Sequence, residues 1–393
     1  MRSRTSGRRA AGVIVLLVMA VLAAACGSDA ASSSVSEGTT VAPTASTSGC
    51  GAQAATDASS RDADRPVARC ESGYPAPVPL PTKTKLLVSN KISSEAASPI
   101  LLAKHFGLFD EENLDVEFTN LALSDALGGL DNCDIDFASG GTEAAVFNSI
   151  NNGLKVNWVA ANFFPPAAGD TSVPQTGLWA RRDVFSDPQH PDIAELEGKK
   201  IASATGPGSV IAYPIAKALD SAGVSMTDVQ VEQIPSADQP QALENGAIDA
   251  AWLLDPFWTE IAASPDTYVL LATQPPAEPL GGMFAGPCVQ PGGSKQAAGA
   301  AFMRAYIRAI NTYLTGDYHH NADTVAAIAQ ETGSTPEKIE AAPSLTFDWE
   351  IRSYTTDELQ KYFGELGALK YSEPLPVDQV VHPDLYRTAV GAQ

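Results

Sequence analysis

Basic residues are scarce in this sequence. It carries 25 Lys and Arg against 46 Asp and Glu, which gives a formal net charge of −21. Nucleic-acid binding needs a stripe of Lys and Arg that neutralises phosphates, and no such stripe occurs. The charge balance therefore excludes nucleic acid as a partner, and we interpret the acidity as serving solubility.

The sequence also lacks the motifs of common enzymes and metal sites. No G-x-S-x-G, H-E-x-x-H or Walker motif is present. A C-x-x-C pair and a Cys/His cluster are absent too, so we expect neither a metal nor a cofactor. Gly206 and Gly208 do not begin a dinucleotide fingerprint, because Ile211 stands at the third glycine position. We expect His319 and His320 to be exposed in a helical tail.

Residues 1–25 have the features of a signal peptide. Four arginines precede residues 10–25, which form an unbroken run of small or apolar side chains. As a helix this run would extend about 24 Å, short of the ~30 Å hydrocarbon core of a bilayer. We therefore expect export, with a twin-arginine signal at Arg8 and Arg9 as a further alternative.

The segment Leu-Ala-Ala-Ala-Cys-Gly at residues 22–27 resembles a bacterial lipobox. This resemblance implies cleavage before Cys26 and attachment of a lipid to that cysteine, although Ala23 stands where leucine is usual. An ordinary secretory signal is the alternative. Residues 26–84 are rich in Ser, Thr, Ala, Gly and Pro and cannot bury enough apolar surface to fold alone. We predict a lipid anchor followed by a flexible spacer.

The four cysteines that remain after Cys26 are even in number. An oxidising compartment would allow them to pair, with Cys50 to Cys70 and Cys133 to Cys288 as one possible connectivity.

An internal repeat organises the rest of the chain. With a shift of 113 residues, residues 130–138 fall on residues 243–251, and both copies read L-[DE]-N-x-x-I-D-x-A. Three further matches occur at the same shift, so we infer two copies of one unit. Each copy alternates apolar runs typical of strands with stretches of helical periodicity.

Alternating strands and helices predict an α/β fold with a mainly parallel sheet in each lobe. Ligands of such sheets bind beyond the carboxyl ends of the strands, so a cleft is expected between the lobes. We predict a first lobe over residues 85–178, a second lobe over residues 179–282, and a helical return onto the first lobe over residues 283–393.

Residues 103–118, A-K-H-F-G-L-F-D-E-E-N-L-D-V-E-F, resemble the opening of the nitrate/sulfonate/taurine-type substrate-binding proteins of ABC importers. Residues 134–139, 196–202 and 246–256 extend this resemblance, which also includes binders of thiamine-pyrimidine precursors. The resemblance implies a two-lobed periplasmic-binding-protein (type II) fold and a monomer on the extracytoplasmic face. It further implies hinge closure over a small-molecule ligand, and an ABC permease with its ATPase as partners.

Loops after the predicted strands supply the candidate ligand contacts. Free N–H groups and the positive end of a helix favour an anion there. Ser94, Thr142 and Ser209 are also explained as helix caps, a role that is compatible with ligand contact, and capping fully explains Asp255. Glu143 either contacts a ligand amine or only stabilises a helix terminus. The candidate contacts are Asn90, Ser93, Ser94, Glu95, Gly140, Gly141, Thr142, Glu143, Phe163, Thr205, Gly206, Gly208, Ser209, Trp252, Asp255 and Phe257.

Aromatic residues gather near these loops and arginines are scarce there. A cleft of this composition favours a small organic solute (sulfonate-like, a carboxylate or a heterocycle) over an inorganic oxyanion. We predict a binding protein and not an enzyme. A lyase that uses Glu95 with Glu143 as acid and base is the enzymatic alternative, and a surface adhesin is the third class. The aromatic residues are Phe163, Phe164, Trp179, Trp252, Phe257 and Phe284.

Overall fold

The computed structural model describes residues 49–61, 65–92, 94–164, 171, 174–254, 257–274 and 278–392. The predicted signal peptide and Cys26 lie outside these residues, as do the candidate contacts Ser93 and Asp255. Within the described residues, no helix combines the length and apolarity that a membrane crossing requires.

Strands and helices alternate along most of the chain. The strands are β1 (Thr84–Ser89), β2 (Leu114–Thr119), β3 (Phe137–Gly141), β4 (Asn157–Ala161), β5 (Phe163–Phe164), β6 (Gly177–Arg181), β7 (Lys200–Ser203), β8 (Gln230–Gln233), β9 (Ala250–Leu253), β10 (Tyr268–Ala272), β11 (Gly281–Ala285) and β12 (Thr346–Phe347). The helices are α1 (Ser98–His105), α2 (Leu108–Glu111), α3 (Leu123–Asp131), α4 (Ala144–Asn151), α5 (Ala212–Ser221), α6 (Gln239–Glu244), α7 (Trp258–Ala262), α8 (Gln296–Tyr313), α9 (Ala322–Thr332), α10 (Pro336–Glu340), α11 (Thr355–Glu365), α12 (Val377–Val380) and α13 (Asp384–Val390).

Two five-stranded sheets form the framework. The first has the order β2-β1-β3-β11-β4, and the second has the order β8-β7-β9-β6-β10. Within each sheet one strand runs against the other four: β11 in the first and β6 in the second. These two antiparallel strands follow the segments that carry the chain from one sheet to the other. The predicted α/β class with two mainly parallel sheets is confirmed.

The two sheets repeat each other in register. Val88 pairs with Phe137 in the first sheet, and Ile201 pairs with Ala250 in the second. Each of these positions in the second sheet lies 113 residues after its counterpart in the first. The shift found in the sequence therefore relates equivalent strand pairings, with β1, β2 and β3 matching β7, β8 and β9.

The C-terminal part of the chain packs on the first sheet. Helix α8 is buried along most of its length, and Phe302 on this helix stacks on Phe137 of β3 with 4.1 Å between ring centroids. The same ring lies 5.1 Å from Phe109 of α2. Stacked aromatic pairs of this kind add to the stabilisation from apolar burial.

Residues 49–61 and 65–83 differ from the flexible spacer that their composition predicted. Trp349 donates its indole N–H to the carbonyl of Ala54 at 3.1 Å, and the N–H of Cys70 donates to the Asn311 side chain at 3.0 Å. Ala54 is 1% exposed. The segment gains its order from partners about 240 to 300 residues away, so composition alone could not show it.

Two disulfides are formed. One joins Cys50 to Cys70 within this N-terminal segment, and the other joins Cys133 to Cys288 across 155 residues. The second bond links the end of α3 to the segment between β11 and α8.

Candidate ligand-binding cleft

A cavity of about 460 Å³ lies beyond the carboxyl ends of strands from both sheets. Its wall includes Gly140 and Gly141 at the end of β3, Thr205 after β7, and Trp252 at the end of β9. The volume falls in the range of roughly 300–1,000 Å³ that is typical of small-molecule sites. Two βαβ units facing each other thus create the cleft that the repeat predicted.

The structure brings nine of the candidate contacts together around this cavity. They come from the loops after β1, β3, β7 and β9 and from the segment that leaves β4. The nine are Ser94, Glu95, Gly140, Gly141, Glu143, Phe163, Thr205, Trp252 and Phe257.

Other candidates form hydrogen bonds within the loops that carry them. The Asn90 side chain bonds to both the N–H and the carbonyl of Ile92, which closes a tight turn. The Ser209 hydroxyl donates to the carbonyl of Gly206 at 2.9 Å and is buried. The candidates Asn90, Gly206, Gly208 and Ser209 do not line the cavity.

The helix caps expected at these loops are not formed. Ser94 precedes a short 3₁₀ turn and its hydroxyl makes no capping bond. Ser209 lies three residues before the first residue of α5, whose N-cap is Ile211. Thr142 is buried behind the cavity, and the N-cap of α4 is Glu143. The loops therefore turn before their helices start, and the predicted caps at Ser94, Thr142 and Ser209 are wrong.

Aromatic side chains form part of the cavity wall. Trp252, Phe163 and Phe257 line it, and Phe163 packs against Phe347 with 6.1 Å between ring centroids. Trp179 and Phe284 are instead buried in the core and do not line the cavity. The side chain of Phe164 lies outside the described residues.

The two lobes touch across the cleft at the β3 loop. The N–H of Ala144 donates to the carbonyl of Gly208 at 3.3 Å. A Cβ atom added to Gly141 would lie 2.3 Å from Cγ1 of Val210 in the loop before α5. The absence of a side chain at position 141 is therefore required for this close approach.

Glu95 is held at one end of the cleft by the C-terminal part of the chain. Its Oε1 accepts hydrogen bonds from the Tyr318 hydroxyl and from Nε2 of His319, the latter at 2.7 Å. Nδ1 of His319 faces the carbonyl of Ala342 at 2.6 Å. An imidazole between two acceptors must donate from both nitrogens, which favours the imidazolium form.

This arrangement corrects the expected exposure of His319, which is 2% exposed, whereas His320 is exposed as predicted. Burial disfavours a charged ring, but the hydrogen bond and the charge of Glu95 outweigh it and raise the pKa of His319. Glu95 in the cavity wall therefore forms an ion pair with the buried His319. The repeat could not predict it, because His319 lies outside both copies.

Glu143 has a different environment. Its side chain is half-buried in the cavity wall and makes no capping bond to α4. Burial raises the pKa of its carboxyl. Among the described residues, no side chain is placed to donate a hydrogen bond to this carboxylate, and no basic side chain forms an ion pair with it.

The fold can be compared with known proteins at this point. Residues 95–274 match the family model described as NMT1/THI5 like. The chain carries an NMT1/THI5-like region. This region spans most of both sheets and every one of the nine candidate contacts around the cavity except Ser94. The predicted family resemblance is therefore confirmed. No curated protein sequence matches the chain.

Solved structures share the fold of the NMT1/THI5-like region and its C-terminal return. The alkanesulfonate-binding protein SsuA from Xanthomonas axonopodis pv. citri bound to MOPS is 18% identical, with a TM-score of 0.55 over 77% of this chain and 100% of that chain. The aliphatic sulphonate binding protein SsuA from Escherichia coli is 19% identical, with a TM-score of 0.55 over 76% and 92%. The nitrate-binding protein NrtA from Synechocystis PCC 6803 is 15% identical, with a TM-score of 0.55 over 80% and 90%. The expected periplasmic-binding-protein fold is confirmed.

Several polar residues of the wall were missed by sequence reasoning. Four of them lie on the two segments that connect one sheet to the other, and the fifth follows β8. The residues are Asn162, Gln175, Thr176, Ser236 and Gln274. Connections between two sheets pass the cleft by necessity, and this topological signal could have identified four of the five.

Proposed function

We propose that the chain is an extracytoplasmic solute-binding lipoprotein that delivers a small organic solute to an ABC importer. One observation carries the proposal: a ligand-sized cavity is walled by strand-end loops from both repeated sheets. A pocket divided between two lobes couples ligand binding to the movement of one lobe against the other, because the ligand completes contacts that neither lobe makes alone.

Hinge closure over the solute is part of the proposal. The contacts between Ala144 and Gly208, and between Gly141 and Val210, join the lobes at the mouth of the cavity. Helix α5 also contacts α11 of the C-terminal return, where the Tyr213 hydroxyl and Nζ of Lys217 donate to Glu358 at 2.6 and 2.8 Å. Ligand contacts shift the balance between open and closed forms by the amount that they favour one form over the other. We expect the closed form to be recognised by the permease, whose ATPase supplies the energy of import.

Attachment to the cell membrane through Cys26 completes the proposal. The lipobox-like segment at residues 22–27 supports it. Expression of the full chain in a bacterial host with labelled palmitate should label the wild type and not Cys26→Ala. Equal labelling of both proteins would show that Cys26 is not the acylated residue.

Ligand capture is tested with the purified wild-type chain and a mixture of small metabolites. We expect native mass spectrometry to detect one bound solute per chain, and small-angle scattering to report a decrease in radius of gyration on binding. Retention of no small molecule from a broad mixture would contradict a binding role. Conversion of the retained solute into a product during incubation would favour the lyase alternative.

A further inference from the structure

The charge of the cavity wall identifies the class of solute. Two carboxylates line the cavity, Glu95 and Glu143, and no Lys, Arg or His is among its described lining residues. The internal segments that the description omits contain none of these residue types in the sequence: 62–64, 93, 165–170, 172–173, 255–256 and 275–277. A basic residue that could neutralise a bound anion is therefore missing from the described wall, and Lys91 of the loop after β1 is exposed and does not line the cavity.

The two carboxylates are not equivalent. The charge of Glu95 is balanced by His319, whose Nε2 lies 2.7 Å from Oε1. Glu143 has no such partner among the described residues, and its pKa is raised by burial alone. A carboxylate withdrawn from water without a hydrogen-bond donor is destabilising, and a cationic partner removes that cost.

An alternative explanation of Glu143 is that its carboxylate stabilises the N-terminus of α4. Acidic residues at helix N-termini are stabilised by free backbone N–H groups. At the N-cap, however, the Glu143 side chain makes no bond to the backbone of the helix, and it lines the cavity instead. The helix therefore does not account for the hydrogen-bonding capacity of this carboxylate.

The aromatic part of the wall complements this charge. Phe163 and Phe257 are half-buried and line the same cavity as Glu143, whereas Trp252, also at the wall, is only 1% exposed. Aromatic faces bind organic rings by stacking and attract cations through the ring quadrupole.

Resting on the binding role proposed above, we propose that the solute is a ring-bearing organic ammonium ion. Its ammonium group donates to the Glu143 carboxylate, and its ring packs against Phe163 and Phe257. An organic sulfonate or nitrate would instead meet an unbalanced carboxylate and no counter-ion. The solute class thus differs from the sulfonates and nitrate in the names of the structures that share this fold.

The test offers the wild-type chain an equimolar mixture of three probes of similar size. They are 2-phenylethylammonium as the cation, 2-phenylethanol as the neutral analogue and benzenesulfonate as the anion. Native mass spectrometry reads which one is retained, and calorimetry measures each affinity. We expect the cation to bind at least about tenfold more tightly than the neutral probe, with no binding of the sulfonate, because a desolvated charge pair adds to ring packing.

Glu143→Gln should lower the affinity for the cation at least about tenfold and change that for the neutral probe less than about threefold. Glu197→Gln, which removes an exposed carboxylate elsewhere, is the matched control and should change neither. If Glu143→Gln does not fold, Glu143→Asp keeps the charge and should retain the preference for the cation with a weaker affinity.

The outcomes separate the two proposals. Tight binding of the sulfonate, or an unchanged cation affinity in Glu143→Gln, overturns the inference about the solute class and leaves the binding role intact. If none of the three probes binds, the metabolite mixture decides. Retention of an organic ammonium ion supports the inference, retention of another class overturns it, and retention of nothing removes the binding role itself.

Discussion

The carboxylate of Asp136 accepts the backbone N–H of Leu87 at 2.9 Å, while the N–H of Asp136 donates to the Leu87 carbonyl at 2.9 Å. In the second sheet Asp249 makes the same pair of bonds to Lys200, also at 2.9 Å. The aspartate of the repeated I-D-x-A motif is therefore a clamp that ties the third strand of each repeat to the first. The repeat preserves a strand contact behind the cleft and not a ligand contact.

Removal of the first clamp should destabilise the chain. Asp136 is 3% exposed and also pairs with Lys295 at 2.8 Å, so Asp136→Ala leaves a buried N–H without an acceptor. We expect a loss of about 2 kcal/mol in the free energy of unfolding, measured by urea denaturation. Asp136→Asn keeps an acceptor and should lose less. Asp249→Ala should also lose less, because the Asp249 side chain is 22% exposed. Equal stability of the wild type and Asp136→Ala would contradict the clamp.

Cys133 adopts a backbone conformation that favours glycine. Its φ is 70°, and Gly246, which stands 113 residues later in the repeat, has a φ of 73°. Loss of the disulfide in Cys133→Ala/Cys288→Ala should reduce stability by about 2–5 kcal/mol. Because glycine adopts this φ without steric cost, Cys133→Gly/Cys288→Ala should be about 1 kcal/mol more stable than the alanine pair. Thermal unfolding of both variants checks this order, and the reverse order would refute it.

Closure of the cleft should depend on the side chain that faces Gly141. A methyl group there would lie 2.3 Å from Cγ1 of Val210, so Gly141→Ala should hold the lobes apart. We expect ligand affinity to fall at least about tenfold, with little change in thermal stability without ligand. Val210→Ala in the same chain makes room and should restore most of the affinity. Calorimetry on the single and double variants measures the coupling, and independent effects of the two changes would argue against the contact.

Glu278 should make stability depend on pH. Burial raises the pKa of its carboxyl to about 6, against an ordinary value of 4.5, even though Lys217 lies nearby. Between these values the folded chain keeps a proton that the unfolded chain has lost. The free energy of unfolding therefore falls by about 2 kcal/mol as pH rises through this window.

Glu278→Gln removes this contribution and should be more stable than the wild type at pH 7 but not at pH 4. Urea denaturation across the pH range measures the difference between the two chains. That difference isolates Glu278 from Asp348, whose pKa burial also raises to about 6. A constant difference at all pH values would show that Glu278 does not titrate in the window.

The repeated part of the fold could be predicted from the sequence because its determinants are local. A nine-residue motif recurs at a fixed shift, and each copy contains the strand, the turn and the clamping aspartate that it needs. The Asn132 side chain accepts the N–H of Asp134 at 3.0 Å, and the Asn245 side chain accepts the N–H of Ala247 at 3.0 Å. The asparagine of each motif copy thus forms the same turn.

The features that the sequence did not predict depend on partners far along the chain. Residues 49–61 and 65–83 are ordered by Trp349, Asn311 and other residues of the C-terminal part, and His319 is buried because it meets Glu95. Composition indicates whether a segment can fold by itself. It contains no information about a complementary surface more than 200 residues away.

The order of strands in the first sheet constrains when that sheet can be completed during synthesis of the chain. β4 pairs with β11 and with no other strand of this sheet, and β11 is made only after all of β6 to β10. The second sheet, by contrast, is complete within residues 177–272. During synthesis from the N-terminus, the second sheet can therefore be completed while β4 is still unpaired, because β11 has not yet been made. The first sheet begins earlier along the chain, but it can be completed only after β11 has been synthesised.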